Sequence, residues 1–294
     1  MASSLPTTPA IENAAAGAAP ASVTPTRRRP GARLFRIGGE IPRPAYTAIA
    51  AASFILPLLL WCFFTYSGRA NALVLPTPTR VWNAAIEMYQ GGTLLPDIQI
   101  SIYRIGMGFL LSAVLAIPIG ILMGAYKSAE AAHEPLVGFI RYVPVPALIP
   151  LVMVVAGIDE AAKIALIFIG TYFQMVLVVA DVTRQVPRDL LNAARTLGAN
   201  GRQLLFNVLL PATLPGLLDT CRTMIGWAWT YLVIAEVVAT SSGMGYMLLK
   251  AQRFSRSDEM FVGIIILGLL GLLTDIAFKL IQPRLVPWAD LNKN

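Results

Sequence analysis

Ile100–Ala125 reads ISIYRIGMGFLLSAVLAIPIGILMGA and carries one charged residue, Arg104, in 26 positions. At 1.5 Å per residue a helix of that length reaches about 39 Å, enough to cross roughly 30 Å of hydrocarbon. In lipid the backbone of such a run is satisfied only as a helix, because an open strand would leave its polar groups unpaired. Comparable apolar segments lie at Ala45–Tyr66, Pro135–Gly157, Ala162–Val182, Gly216–Thr240 and Met260–Ile281. The spacing predicts an all-α membrane protein of about six spanning helices, with both chain ends on one side.

Composition agrees. Charged residues make up 13% of the 294 positions, and mean hydropathy is +0.66. A soluble domain carries about 25% charge, which its surface needs to stay in water. The net charge of +7 sits in short loops between apolar segments, which argues against a nucleic-acid partner and for membrane orientation. With the N-terminus inside, fifteen Lys and Arg fall on the inner side, Arg141 among them, and six on the outer. Residues 1–44 are rich in Ala, Pro, Ser and Thr and end in an arginine patch. They are expected to form a disordered basic tail, with residues 45–288 as the membrane domain and 289–294 as a short C-terminal tail. The first apolar segment is too long for the core of a signal peptide, so an uncleaved helix is expected despite the cleavage-like Ala70-Asn71-Ala72. Cys62 and Cys221 lie far apart in apolar segments and read as small apolar residues. His133, with Glu130 and Glu134, reads as part of a solvated loop and not a metal site.

Two stretches do not span. Residues 79–89, after Pro76 and Pro78, have the polarity of a short amphipathic helix. Residues 187–211 are more structured than a linker needs to be. Pro187 suits a first helical turn, and Leu190, Leu191, Ala194 and Leu197 recur at helical spacing. Gly198 closes that helix, a second starts near Gly201, and Pro211 ends it or kinks the entry to the next membrane helix. On these grounds the pair is either an interfacial element resting on lipid headgroups or a docking surface for a soluble partner.

Asn192-Ala193-Ala194-Arg195-Thr196-Leu197-Gly198, nine residues, then Val208-Leu209-Leu210-Pro211 resembles the E-A-A loop of binding-protein-dependent ABC transporter permeases. The spacing matches throughout. Asn192 replaces the Glu of that motif and Val208 its Ile. Residues 141–151 and 157–164, with Ala235-Glu236 and Ser242-Gly243-Met244-Gly245-Tyr246, resemble the nitrate, sulfonate, taurine and bicarbonate importer permeases. The resemblance covers roughly residues 70–288. It implies a type I importer fold in a bacterial inner membrane and a partner ATPase that carries ATP and Mg, none being bound by this chain. It also implies a second permease copy and a periplasmic binding protein. Asn192, Ala193, Ala194, Leu197, Gly198, Leu210 and Pro211 would then form the ATPase contact.

The chain has no Walker A motif, so ATP hydrolysis is expected elsewhere and no catalytic residue is assigned. Gly120 and Gly124 form a G-x-x-x-G pair suited to close helix packing. Asp219 with Arg222, and Asp275 with Lys279, have the spacing of pairs that neutralise each other on one helix. Pro144, Pro146 and Pro150 interrupt the third apolar segment, as broken helices do where they line a cavity. Tyr142, Pro144, Pro146, Trp227, Trp229 and Glu236 are the expected lining of a translocation path. The alternatives are a kinked packing helix and, for the whole chain, a stand-alone secondary transporter or channel.

Overall fold

The computed structural model describes residues 41–289 except Ala239. The expected basic tail, apart from its last residues, and the C-terminal residues 290–294 lie outside the described part. The described residues form helices and connecting turns. In order these are α1 (Arg43–Tyr66), α2 (Pro78–Gln90), α3 (Leu94–Ala125), α4 (Lys127–Ile140), α5 (Val145–Ala156) and α6 (Glu160–Arg184). There follow α7 (Arg188–Thr196), α8 (Gly201–Gln203), a π-helical turn (Leu204–Leu209), α9 (Leu210–Val238), α10 (Met244–Arg253) and α11 (Ser257–Leu285).

Five of these runs are long and apolar enough to cross a membrane, counting Gly201–Val238 as one. The sixth expected span is broken. α4 and α5 meet at 99°, so Pro135–Gly157 is not a single straight helix. Pro144, extended at φ −62° and ψ 124°, opens α5 after this break. The residue before a proline is pushed out of the α region, so the Val143-Pro144-Val145-Pro146 run could not continue α4. Glu130, His133 and Glu134 stand on α4, not in a loop.

α1 begins at Arg43 and buries none of its residues. Phe54 and Leu56 are exposed along with their neighbours, as suits a helix bathed in lipid. The rest of the molecule, from Leu59 onward, forms its own compact unit. At its centre α3 and α6 run parallel. Lipid is as apolar as leucine, so such helices are held by close packing and not by water exclusion. The small residues Gly108, Ser112, Ala116, Gly120 and Gly124 recur every four positions along α3. A Cβ on Gly108 would lie 2.7 Å from Ile167, and one on Gly120 would lie 2.6 Å from Val179 and 2.7 Å from the Val176 carbonyl. Halfway along, the Ser112 and Thr171 hydroxyls meet at 2.5 Å. α9 packs against this pair in the opposite sense, with Leu217, Cys221 and Met224 joining the core formed by Met175, Val176 and Val179. Cys62 and Cys221 are both free thiols.

At the end of the bundle where α9 meets α10, α2 lies across α10 and α11. α2 covers the expected amphipathic stretch, and Thr77 caps it by accepting from the Arg80 amide. Trp61 stacks on Phe261 at 5.6 Å and donates to the Pro76 carbonyl, which fixes the turn before α2. Charges on the long helices pair between helices more than along them. Arg222 binds Asp275 of α11, and Asp275 also accepts from Lys279 at 2.8 Å. Asp219 accepts from Gln282 at 3.0 Å, so the expected Asp219–Arg222 pair does not form. Asp219 and Arg222 each find a partner on the facing α11, whereas the expected Asp275–Lys279 pair forms along its own helix.

Candidate functional site

Residues 187–211 make a distinct element at the end of the bundle away from α10. Pro187 is extended at φ −56° and ψ 127° and stands just before α7. The helix ends as the glycine requires. Gly198 has φ +85°, its amide donates to the Arg195 carbonyl, and the Ala199 amide donates to the Ala194 carbonyl. Asn200 then caps the next turn, with its side chain and that of Gln203 bonding reciprocally to each other's backbone.

α7 buries none of its residues. Leu191 and Ala194 face inward and are half-buried, whereas Asn192, Ala193 and Gly198 are exposed and Leu197 is 89% exposed. Asn192 accepts from the Arg195 side chain at 3.3 Å. Leu210 and Pro211 are half-buried and lie inside the continuous run that becomes α9. Pro211 therefore does not end the second loop helix. The π-helical turn just before it is wider than an α turn and accommodates the ring and the missing N–H.

A second feature lies at half-height. Tyr142, Pro144, Pro146 and Trp227 come together around a partly open cavity of about 450 Å³, lined also by Gly170, Phe173 and Gln174 of α6 and Met224 and Tyr231 of α9. The Tyr231 ring lies directly on Gly170, where a Cβ would come within 2.6 Å of it. Arg141 belongs to this cavity. It sits between α4 and α5 at the level of the middle of α6, so it does not count toward either side of the membrane in the charge balance.

The other two residues expected on the path lie elsewhere. Trp229 is 8% exposed, packs with Ile105, Ile167 and Leu232, and donates to Thr274 at 3.3 Å. Glu236 is fully buried near the α10 end. It accepts from Ser101 at 2.7 Å, Arg104 at 2.7 Å and the Gly245 amide at 2.8 Å. Arg104, also fully buried, grips Glu160 with two parallel bonds of 2.6 and 2.8 Å, and Lys163 adds a third at 2.9 Å. Arg104 further donates to the Ser242 carbonyl at 2.9 Å and hydroxyl at 3.2 Å. Gly243, at φ +107°, lets the chain pass over this pair, since a Cβ there would lie 2.5 Å from the Glu236 carboxylate. Two cations and two carboxylates balance, so the cluster joins α3, α6, α9 and the start of α10 without a net charge. A lone Arg in one apolar run and a lone Glu in another were the available signal for this pair, because each needs a partner in lipid.

Residues 116–287 match the family described as binding-protein-dependent transport system inner membrane component. The chain belongs to that family. The putative aliphatic sulfonates transport permease SsuC of Bacillus subtilis is 38% identical over 79% of this chain and 84% of its own length. The taurine transport system permease TauC of Escherichia coli is 27% identical over 86% of this chain and 94% of its own. Among solved structures, an inward-facing MetNI methionine ABC transporter chain superposes with a TM-score of 0.58, at 22% identity over 66% of this chain and 95% of that one. In this inner membrane component, both α7 and the half-height cavity fall inside the matched region, whereas Arg104 precedes it.

Proposed function

We propose that this chain is the permease subunit of an ATP-driven importer of a small anion in a bacterial inner membrane. Residues 187–211 take the stroke of a separate cytoplasmic ATPase, which carries ATP and Mg²⁺. A second permease copy completes the pathway, and a binding protein delivers solute at the α10 end. Both chain ends lie on the ATPase side.

The observation that carries this reading is mechanical. α7 is an exposed helix with a bare leucine, Leu197, at its tip. It leads through one capped turn into the 38-residue run Gly201–Val238, which forms a wall of the cavity with Met224, Trp227 and Tyr231. A continuous helix transmits a push at one end to side chains along its length. Burying one leucine contributes roughly 1.5–3 kcal/mol, so a few such contacts can hold an ATPase in register. Small residues at Ala193 and Gly198 permit close approach. The SsuC and TauC likenesses support a sulfonate as solute.

The test is co-purification of an ATPase with wild type and with Gly198→Glu. Retention by wild type and loss from the variant is expected. If no ATPase follows either form, the importer reading fails and a stand-alone transporter replaces it.

A further inference from the structure

An arginine at half-height in a membrane protein is costly unless a partner or a function holds it there. Gln174, on the wall it shares with Arg141, lies 14 residues from the start of α6 and 10 from its end. At 1.5 Å per residue that is about 21 and 15 Å, well inside the hydrocarbon. Arg141 makes one side-chain hydrogen bond among the described residues, to the Tyr142 hydroxyl at 2.7 Å. Its guanidinium rests 4.7 Å from the centroid of that ring. Among the described residues lining the cavity none is acidic. Arg141 is exposed and lines the cavity with its other N–H groups uncommitted among the described residues, and the Gln174 amide and the aromatic side chains of Trp227 and Tyr231 line it too.

A planar fork of donors backed by an aromatic face suits an oxyanion, which it can bind through two parallel bonds. We propose that Arg141, held by Tyr142 and assisted by Gln174, is the binding point for a small oxyanion with one negative charge, a sulfonate or nitrate, at half-height of the permease. The inference rests on the importer reading above and adds a solute contact within the membrane. The apolar walls fit the organic part of a sulfonate, and the cavity of about 450 Å³ holds such a molecule with a few waters. A single perch on Tyr142 suits transport, since a site that must release its ligand cannot surround it with charge. Arg104, with two carboxylates, has no N–H to offer.

The experiment measures initial uptake by cells carrying the complete transporter, with [³⁵S]taurine, [³⁵S]isethionate and [¹⁵N]nitrate as separate probes. Wild-type cells are expected to accumulate at least one of them. Arg141→Gln is expected to lower that uptake at least tenfold, and Arg141→Lys, which keeps the charge, to retain a third or more. The probe that wild type accumulates distinguishes sulfonate from nitrate. Co-purified ATPase, measured on each variant, reports folding and assembly separately. Uptake by Arg141→Gln within twofold of wild type overturns the proposal, as does accumulation of none of the three probes by wild type. An absent ATPase in wild type overturns the importer reading instead.

Discussion

Replacing Arg104 by methionine removes the one cation that touches both carboxylates of the buried cluster. Its side chain is fully buried, and all five of its N–H groups are used: two on Glu160 and one each on Glu236, the Ser242 carbonyl and the Ser242 hydroxyl. The two acids then fare differently. Glu160 is 42% exposed at its side chain and keeps Lys163 at 2.9 Å, so water and that amine compensate it at a cost of about 1 kcal/mol or less. Glu236 is fully buried and retains only the Ser101 hydroxyl and the Gly245 amide. Stranding one partner of a buried ion pair costs about 3–5 kcal/mol. The expected loss for Arg104→Met is therefore about 3–5 kcal/mol, nearly all of it on the Glu236 side. Adding Glu236→Gln, which removes the stranded charge, should return the protein to within about 1–2 kcal/mol of wild type, since neutral replacement of a buried pair is often nearly free. Reversible unfolding in mixed micelles, followed by circular dichroism, measures all three proteins. A single-variant loss below about 1 kcal/mol, or a double variant no more stable than the single, would refute the reasoning and mean that water reaches Glu236.

Gly120→Leu should destabilise by about 1–3 kcal/mol in the same assay, because its Cβ would press on the Val179 side chain and the Val176 backbone and force α3 from α6. Gly106→Leu, on the same helix with open space around it, should be neutral or slightly stabilising, and equal losses at both sites would remove the seam as the cause. A double-mutant cycle on Arg222→Gln and Asp275→Asn should return a coupling under about 1 kcal/mol, because both side chains are about one-third exposed and Asp275 keeps Lys279 on its own helix. A coupling above about 2 kcal/mol would place that pair in the same class as Arg104–Glu236.

The sequence made the local signals legible and hid the long-range ones. Gly120 and Gly124 announced a close helix contact by their spacing alone, and a Cβ on either would collide with α6. Gly198 announced the end of α7, because a left-handed residue was needed there. Pro144 announced a break, but a proline pattern carries no angle, so the 99° bend and the half-height position of Arg141 were not readable from it. Spacing of three or four residues favoured the Asp219–Arg222 pair, whereas the structure gives Arg222 to α11, 53 residues away. Glu236 and Arg104 lie 132 residues apart, and only the shared need of two charges in apolar runs for a partner in lipid connects them in the sequence. Pro211 left open an end to the loop helix or a kink into the next one, and the π-helical turn that rules out the end has no sequence signature of its own.

Arg104 and Arg141 show how one residue type serves opposite ends. Arg104 spends every donor on fixed partners from α6, α9 and the segment before α10, so moving any of these elements breaks hydrogen bonds to a guanidinium that is itself fully buried. Such a cluster resists relative motion at the α10 end of the bundle. Arg141 stands where α4 gives way to α5 and holds only its neighbour Tyr142 among the described residues. Its surroundings are a cavity and the 99° bend between two helices, not a seam of interlocked small residues. A motion that opens or closes this cavity can therefore carry Arg141 with it without breaking an ion pair. Rigidity at one level and freedom at another follow from how many donors each guanidinium has already committed, and a transporter needs both.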